Sequence, residues 1–148
     1  MENSPPLVND VLLIRASEAD HDYLYWLRMQ TMVEHLQRDG LFYTEAQHWQ
    51  RMLQAYECAH IVWVNRQKVG LLKYKIDDGQ LHIIQFQLDP AQQGKGLGQL
   101  ILRYLFARHA GLSVSLTVLK HNPAMRLYQR LGFSVVGQDD YEFHMHKK

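Results

Sequence analysis

Hydrophobic and polar positions change period several times along this chain, and each change marks an element. Val11-Leu12-Leu13-Ile14 is a short, partly β-branched apolar run and predicts a first strand. Ser17 and Asp20 are residues that cap helices, and the pattern carries one helix from there to about Arg38, with Gly40 as its stop. Thr44 and Gln47 have capping-box spacing and open a second helix, with Trp49, Met52, Leu53 and Tyr56 on one face. Residues 61–64, 69–76 and 81–88 read as three strands joined by short turns. Asp78-Gly79 between the last two is a hairpin signal, because both residues tolerate positive φ. The turns leave no room for a crossover helix, so these strands form an antiparallel meander. After Pro90 the period returns to 3.6, and Leu97, Leu100, Ile101, Tyr104 and Leu105 make one stripe on a helix over 96–110. Residues 113–119 predict a strand, Pro123 a helix start and Gly132 that helix's end. Strands over 133–136 and 141–146 close the chain. The order β-α-α-β-β-β-α-β-α-β-β predicts an α/β (α+β) fold with a mixed sheet over residues 11–148, after a loose leader over 1–10.

Composition narrows the field. At 148 residues, 47% hydrophobic and 21% charged, the chain suits one folded domain. A net charge of +1 supplies no bulk field for nucleic acid or an acidic membrane, so neither is an expected partner. Apolar runs fall short of the roughly 18–20 residues of a membrane span. The leader lacks an apolar core, and a cytoplasmic location is expected. Cys58 is the one cysteine, which excludes an internal disulfide and any zinc site built on several thiolates. Nine histidines raise the question of a metal. His144 and His146 share a strand face with His82 a candidate neighbour, but no acid or cysteine stands at ligand spacing and no metal is expected.

The stretch richest in chemistry runs from Leu88 to Gly98, where Gly94, Gly96 and Gly98 alternate between a strand and an amphipathic helix. Backbone without side chains permits close approach of a ligand, and free N–H groups at a helix start attract anions. A Walker A loop is excluded because Gly94-Lys95 is followed by Gly96 rather than Ser or Thr. A Rossmann fingerprint needs G-x-G-x-x-G after a first parallel strand, and the spacing here is G-x-G-x-G after a meander. Gln93-x-x-Gly96-x-Gly98 instead resembles the acyl-CoA pyrophosphate loop of the GCN5-related N-acetyltransferase (GNAT) superfamily. Downstream, Asn122-x-Ala124-x-x-Leu127-Tyr128-x-x-x-Gly132-Phe133 resembles that superfamily's second block. Together with the element order, the resemblance covers nearly the whole chain.

The resemblance implies a single-domain GNAT fold, a mixed and mostly antiparallel sheet of six or seven strands flanked by about four helices. It implies acetyl-CoA as co-substrate, with direct transfer to a primary amine on a small molecule or peptide. In such folds the fourth strand bulges and parts from the fifth, so the pantetheine arm adds to its free edge. That sets Phe86, Gln87 and Leu88 backbone groups against the cofactor, with the Leu88 amide polarising the thioester carbonyl. Amides of Gln93, Gly94, Lys95, Gly96, Leu97 and Gly98 would cradle the pyrophosphate, and the Lys95 charge would lie beside it. Asn122 would bond the pantetheine arm, and Tyr128 would act as the acid at the departing sulfur. Gly132 and Phe133 read as a helix stop and a buried anchor.

Relatives often carry a glutamate on the fourth strand as base, and this chain has Gln85 there. Proton loss is therefore expected through water, with Glu34, His35, His82 and His144 as candidate relays. Arg28, Thr31 and His35 recur at helical spacing beside many aromatics, and with Gln85 they are candidate acceptor-site residues. A non-catalytic acyl-CoA sensor is the alternative, favoured by the missing acid. A monomer or a homodimer fits either reading.

Overall fold

In the computed structural model, residues 10–148 are described, and the expected leader lies outside them apart from Asp10. Strands β1 (Val11–Arg15), β2 (Ala59–Val64), β3 (Gln67–Asp77) and β4 (Gln80–Leu88) pair in that order, every pair antiparallel. β5 (Ser113–Leu119) then joins β4 in parallel, and its antiparallel partner is β7 (Glu142–Lys147), with β6 (Ser134–Gln138) outermost. The described residues thus form a seven-stranded sheet in the order β1-β2-β3-β4-β5-β7-β6. A parallel pair needs a crossover, and α4 (Leu97–Arg108) supplies it between β4 and β5.

The helix expected to run to Arg38 is broken. Ser17 opens a short 3-10 turn over Glu18–Asp20, α1 spans His21–Thr31, and α2 spans Val33–Arg38. The interruption at Met32 follows Thr31, whose Oγ1 donates to the Leu27 carbonyl at 2.8 Å, a back-bond that bends helices. Thr44 caps α3 (Glu45–Leu53) as its spacing predicts: its Oγ1 accepts from Gln47 N–H, and Gln47 Oε1 accepts from Thr44 N–H. That helix stops sooner than its apolar face implied, because Ala55 turns left-handed and Tyr56 falls in a 3-10 turn. α5 (Ala124–Arg130) follows Pro123, and Gly132 at φ +98° ends it.

Side-chain alternation splits the core into two layers. One face of the sheet carries Leu72, Leu81, Ile83, Val114, Leu116 and Met145 against Ile101, Leu102 and Leu105 of α4. On the other face, Ile61 and Leu71 pack against Leu24 and Leu27 of α1 and Met52 of α3. Each such side chain contributes roughly 1.5–3 kcal/mol by leaving water, so both layers are needed for a stable domain.

The irregularity that matters for function lies at the centre of the sheet. Lys73 pairs with Gln85 but Tyr74 with Ile83, which leaves Ile84 as an extra residue on β4. Pairing between β4 and β5 covers only Gln80–Ile83 against Ser113–Leu116. Beyond the bulge the two strands separate, and the edge of β4 from Ile84 to Leu88 is open.

Candidate functional site

Two cavities flank this opening, of about 410 and about 310 Å³, and Met32, Phe86 and Asn122 line both. The smaller one is roofed by the turn between β4 and α4. Gly94 and Gly96 sit there at φ +78° and +76°, conformations that favour glycine, and Gly96 is the N-cap of α4. A Cβ at either would meet nothing within 4 Å, so both face open space. Gly98 has a different reason: a Cβ would lie 2.8 Å from Leu127 Cδ2, so its absence lets α4 seat on α5. The result is a set of first-turn N–H groups, unobstructed by side chains, at the head of a twelve-residue helix.

The open strand edge has a definite polarity. Asp89 N–H bonds the Val69 carbonyl at 2.8 Å. Alternation therefore turns the backbone groups of Gln87 toward β3, and those of Phe86 and Leu88 toward the open side. The Leu88 carbonyl accepts from Gln93 Nε2 at 3.1 Å, which ties the glycine turn to the strand end. Of Phe86, Gln87 and Leu88, whose backbone groups were all expected to meet the cofactor, only Phe86 and Leu88 turn theirs to the open edge. Gln87 differs in its side chain as well: it is buried, and neither amide atom has a partner. His35 Nδ1 is also buried and unpartnered, and both residues line the smaller cavity. Buried polar atoms are ordinarily satisfied, so their presence here fits a cavity that receives a polar ligand.

Asn122 Oδ1 caps α5 by accepting from Ala124 N–H at 2.9 Å, which leaves its Nδ2 for a ligand. Tyr128 lines the larger cavity while 5% exposed, and burial pushes its phenol well above the usual range, so it is a permanent donor there. Of the acceptor-site candidates, Arg28 and Gln85 line the larger cavity, whereas Thr31 and His35 line the smaller. Lys95 is exposed and outside the cavity lining; the cation that does line the smaller cavity is Arg130.

The candidate relays do not converge. Glu34 is an exposed partner of Arg38 at 3.2 Å. His82 and His144 line a third cavity together with His146, away from Tyr128, and His82 bonds the Ser115 hydroxyl. Among the described residues, no group of three or more His, Cys, Asp or Glu is arranged to hold a metal. No helix of the described residues is long and apolar enough to cross a membrane.

Sequence reasoning did not single out Glu142, Lys73 or Arg51, the charged residues that line the larger cavity together with Arg28. Glu142 is its one carboxylate among the described residues. Lys73 is 1% exposed, its Nζ donating to the Met52 and Gln54 carbonyls at 2.7 Å each, and burial with the Arg28 charge lowers its pKa to about 8. Tyr43 carries the Arg51 guanidinium 4.3 Å above its ring. A lysine breaking the apolar run 69–72 was the available signal for Lys73; Tyr43 belonged to the aromatics expected beside the acceptor site, and nothing local distinguished Glu142 or Arg51 from surface residues.

Comparison with known proteins agrees with this fold. Against the solved structure of an acetyltransferase from Thermus thermophilus, the TM-score is 0.75 at 18% identity, over 93% of this chain and 96% of that one. The PaiA N-acetyltransferase of Thermoplasma acidophilum, solved in complex with coenzyme A, gives 0.71 at 17%, over 94% and 99%. Spermine/spermidine N(1)-acetyltransferase of Bacillus subtilis is 36% identical over 69 residues, 43% of this chain and 45% of that enzyme. The match thus spans less than half the length of that relative. The model of the acetyltransferase (GNAT) family matches residues 21–133, most of the chain. The glycine turn, the parted strands and the Asn122–Phe133 block all lie inside that span, and the chain belongs to the acetyltransferase (GNAT) family.

Proposed function

We propose that the protein is an acetyl-CoA-dependent N-acetyltransferase acting on a primary amine. The observation that carries this reading is the separation of β4 from β5 beside the left-handed glycine turn, which joins an extended groove to an anion cradle. Bound acetyl-CoA supplies a thioester: the amine nitrogen forms a bond to the acyl carbon, the carbon–sulfur bond breaks, the nitrogen loses a proton and the sulfur gains one.

The chain's own groups divide the work. N–H groups of the glycine turn and the first turn of α4 hold the pyrophosphate, with Arg130 adding charge. Asn122 Nδ2 donates to the pantetheine arm. The Leu88 N–H, turned to the open edge, polarises the carbonyl. Tyr128, kept protonated by burial, donates to the sulfur. An alkylammonium with pKa near ~10.4 is about one part in 10³ deprotonated at neutral pH, so the acceptor must shed a proton first. Glu142 is the carboxylate facing the acceptor cavity, and it takes that proton directly or through water.

Release of the free thiol from acetyl-CoA across a panel of amines tests the reading; turnover with at least one amine, lost in the absence of acceptor, is expected. Binding of acetyl-CoA without turnover by any amine would favour the sensor, to which Gln85 in place of an acid lends support. The acceptor class is the next question. Polyamines, the acceptors in the name of the Bacillus subtilis relative, are one candidate.

A further inference from the structure

The larger cavity carries charge of an unexpected sign for an enzyme that receives amines. Arg28, Arg51 and Lys73 line it against the single carboxylate of Glu142. Glu57 acts on Lys73 but does not line the cavity.

Arg28 is the residue that needs explaining. It is 4% exposed, and its Nε donates to His48 Nδ1 at 3.1 Å, the one hydrogen bond of its guanidinium among the described residues. That bond places the His48 proton on Nε2, and burial followed by the Arg28 charge lowers the His48 pKa, so His48 is a neutral acceptor. Both Nη groups of Arg28 are left without an acidic partner. No ion pair reaches Arg28 or Arg51 among the described residues; Arg51 is instead the second cause, after burial, that lowers the Arg28 pKa. A buried arginine without a counter-ion is destabilising unless something anionic reaches it. Two guanidinium groups that open on one cavity with no acidic partner among the described residues are an arrangement suited to grip a carboxylate or phosphate.

Resting on the acetyl-transfer reading above, we propose that the acceptor is an amine that also bears an anionic group, a carboxylate or a phosphate, held by Arg28 and Arg51. The amine end then points to Gln85, Glu142 and the thioester, and the anionic end lies under α1 and α3. Lys73, clamped by two carbonyls at the end of α3, contributes positive potential without swinging into the cavity. A polyamine would bring two or more cations into a site already rich in them, and like charges in a part-buried cavity repel.

The test compares kcat/KM for glutamate, a neutral-side-chain amino acid, phosphoethanolamine and spermidine at saturating acetyl-CoA. An anionic amine ahead of spermidine by about tenfold or more is expected, and the better of the carboxylate and phosphate arms identifies the group held. Arg28→Gln is expected to lower kcat/KM for the anionic amine by about 10- to 100-fold. Because Arg28 is buried, the exposed Arg51→Glu is made as well, and it is expected to lower the anionic amine and raise spermidine. Spermidine equal to or above every anionic amine, or an unchanged preference in Arg51→Glu, overturns the proposal. If no amine releases thiol, the transfer reading fails, and the same compounds titrated into CoA-saturated protein still decide this one. Anionic amines bound and weakened by Arg51→Glu support it; no anionic amine bound, or spermidine bound more tightly, overturns it.

Discussion

At the scale of single residues, environment assigns opposite duties to side chains with similar intrinsic chemistry. Tyr128 and Tyr43 are both phenols lining one cavity, yet Tyr128 is buried with its proton secured while Tyr43 serves as a platform for Arg51. A donor that never ionises in the working range can serve a leaving thiolate at any pH between about 6 and 9, because a phenol begins near ~10 and burial moves it further up. Tyr128→Phe removes that donor and keeps the ring in place against Phe133, 5.8 Å away. We expect kcat to fall about 10²-fold with acetyl-CoA affinity within about threefold of wild type. Steady-state thiol release and calorimetry on the same preparation measure both. Turnover unchanged in Tyr128→Phe would remove the acid role.

At the scale of elements, the functional geometry comes from three irregularities: the bulge at Ile84, the glycine turn and the break at Met32. The glycine turn was legible because Gly94, Gly96 and Gly98 stand out in any sequence and the helix that follows has a clear stripe. The parting of β4 from β5 was implied only by resemblance, since nothing in Leu81 to Leu88 marks Ile84 as the unpaired residue. The break at Met32 was not legible. Its cause is a threonine side chain bonding backward, and a threonine at that spacing is equally at home in an unbroken helix. Lys73 and Gln85 face each other across β3 and β4, a relation set by the bulge register and so invisible to a linear reading. Gly96→Ala probes the turn itself. At φ +76° an alanine costs on the order of 1 kcal/mol, and its methyl group would project into the open space proposed to receive the anion. We expect a thermal midpoint a few degrees lower and acetyl-CoA affinity reduced about tenfold or more, read by melting and calorimetry. Full affinity in Gly96→Ala would separate the turn from cofactor binding.

At the scale of the whole molecule, the sheet parts between β4 and β5 while apolar layers cover its two faces, and the candidate site occupies that opening. Holding it open leaves charges inside, Lys73 above all. Its pKa in the folded protein is lowered to about 8 from 10.5, mainly by burial. The unfolded chain therefore binds more protons than the folded one between about pH 8 and 10.5, and stability contributed by this group rises with pH through that window. Below pH 8 both states are protonated, and the full penalty of a buried charge is carried. Lys73→Met abolishes the titration while giving up the two carbonyl contacts. The unfolding free energy of wild type minus Lys73→Met is expected to increase by on the order of 2–3 kcal/mol from about pH 7 to about pH 10. Urea unfolding of both proteins at the two pH values measures it; a difference independent of pH would show that Lys73 is not desolvated.

The expectations about activity and cofactor affinity depend on one claim, that the opening beside β4 receives acetyl-CoA. Titration calorimetry of the purified protein with acetyl-CoA, with ATP and NAD⁺ run under identical conditions, tests it most directly. Saturable one-site binding of acetyl-CoA in the micromolar range is predicted, with no comparable heat from ATP or NAD⁺, since the pantetheine arm must engage the open strand edge. No binding of acetyl-CoA, or binding matched by ATP, would contradict it.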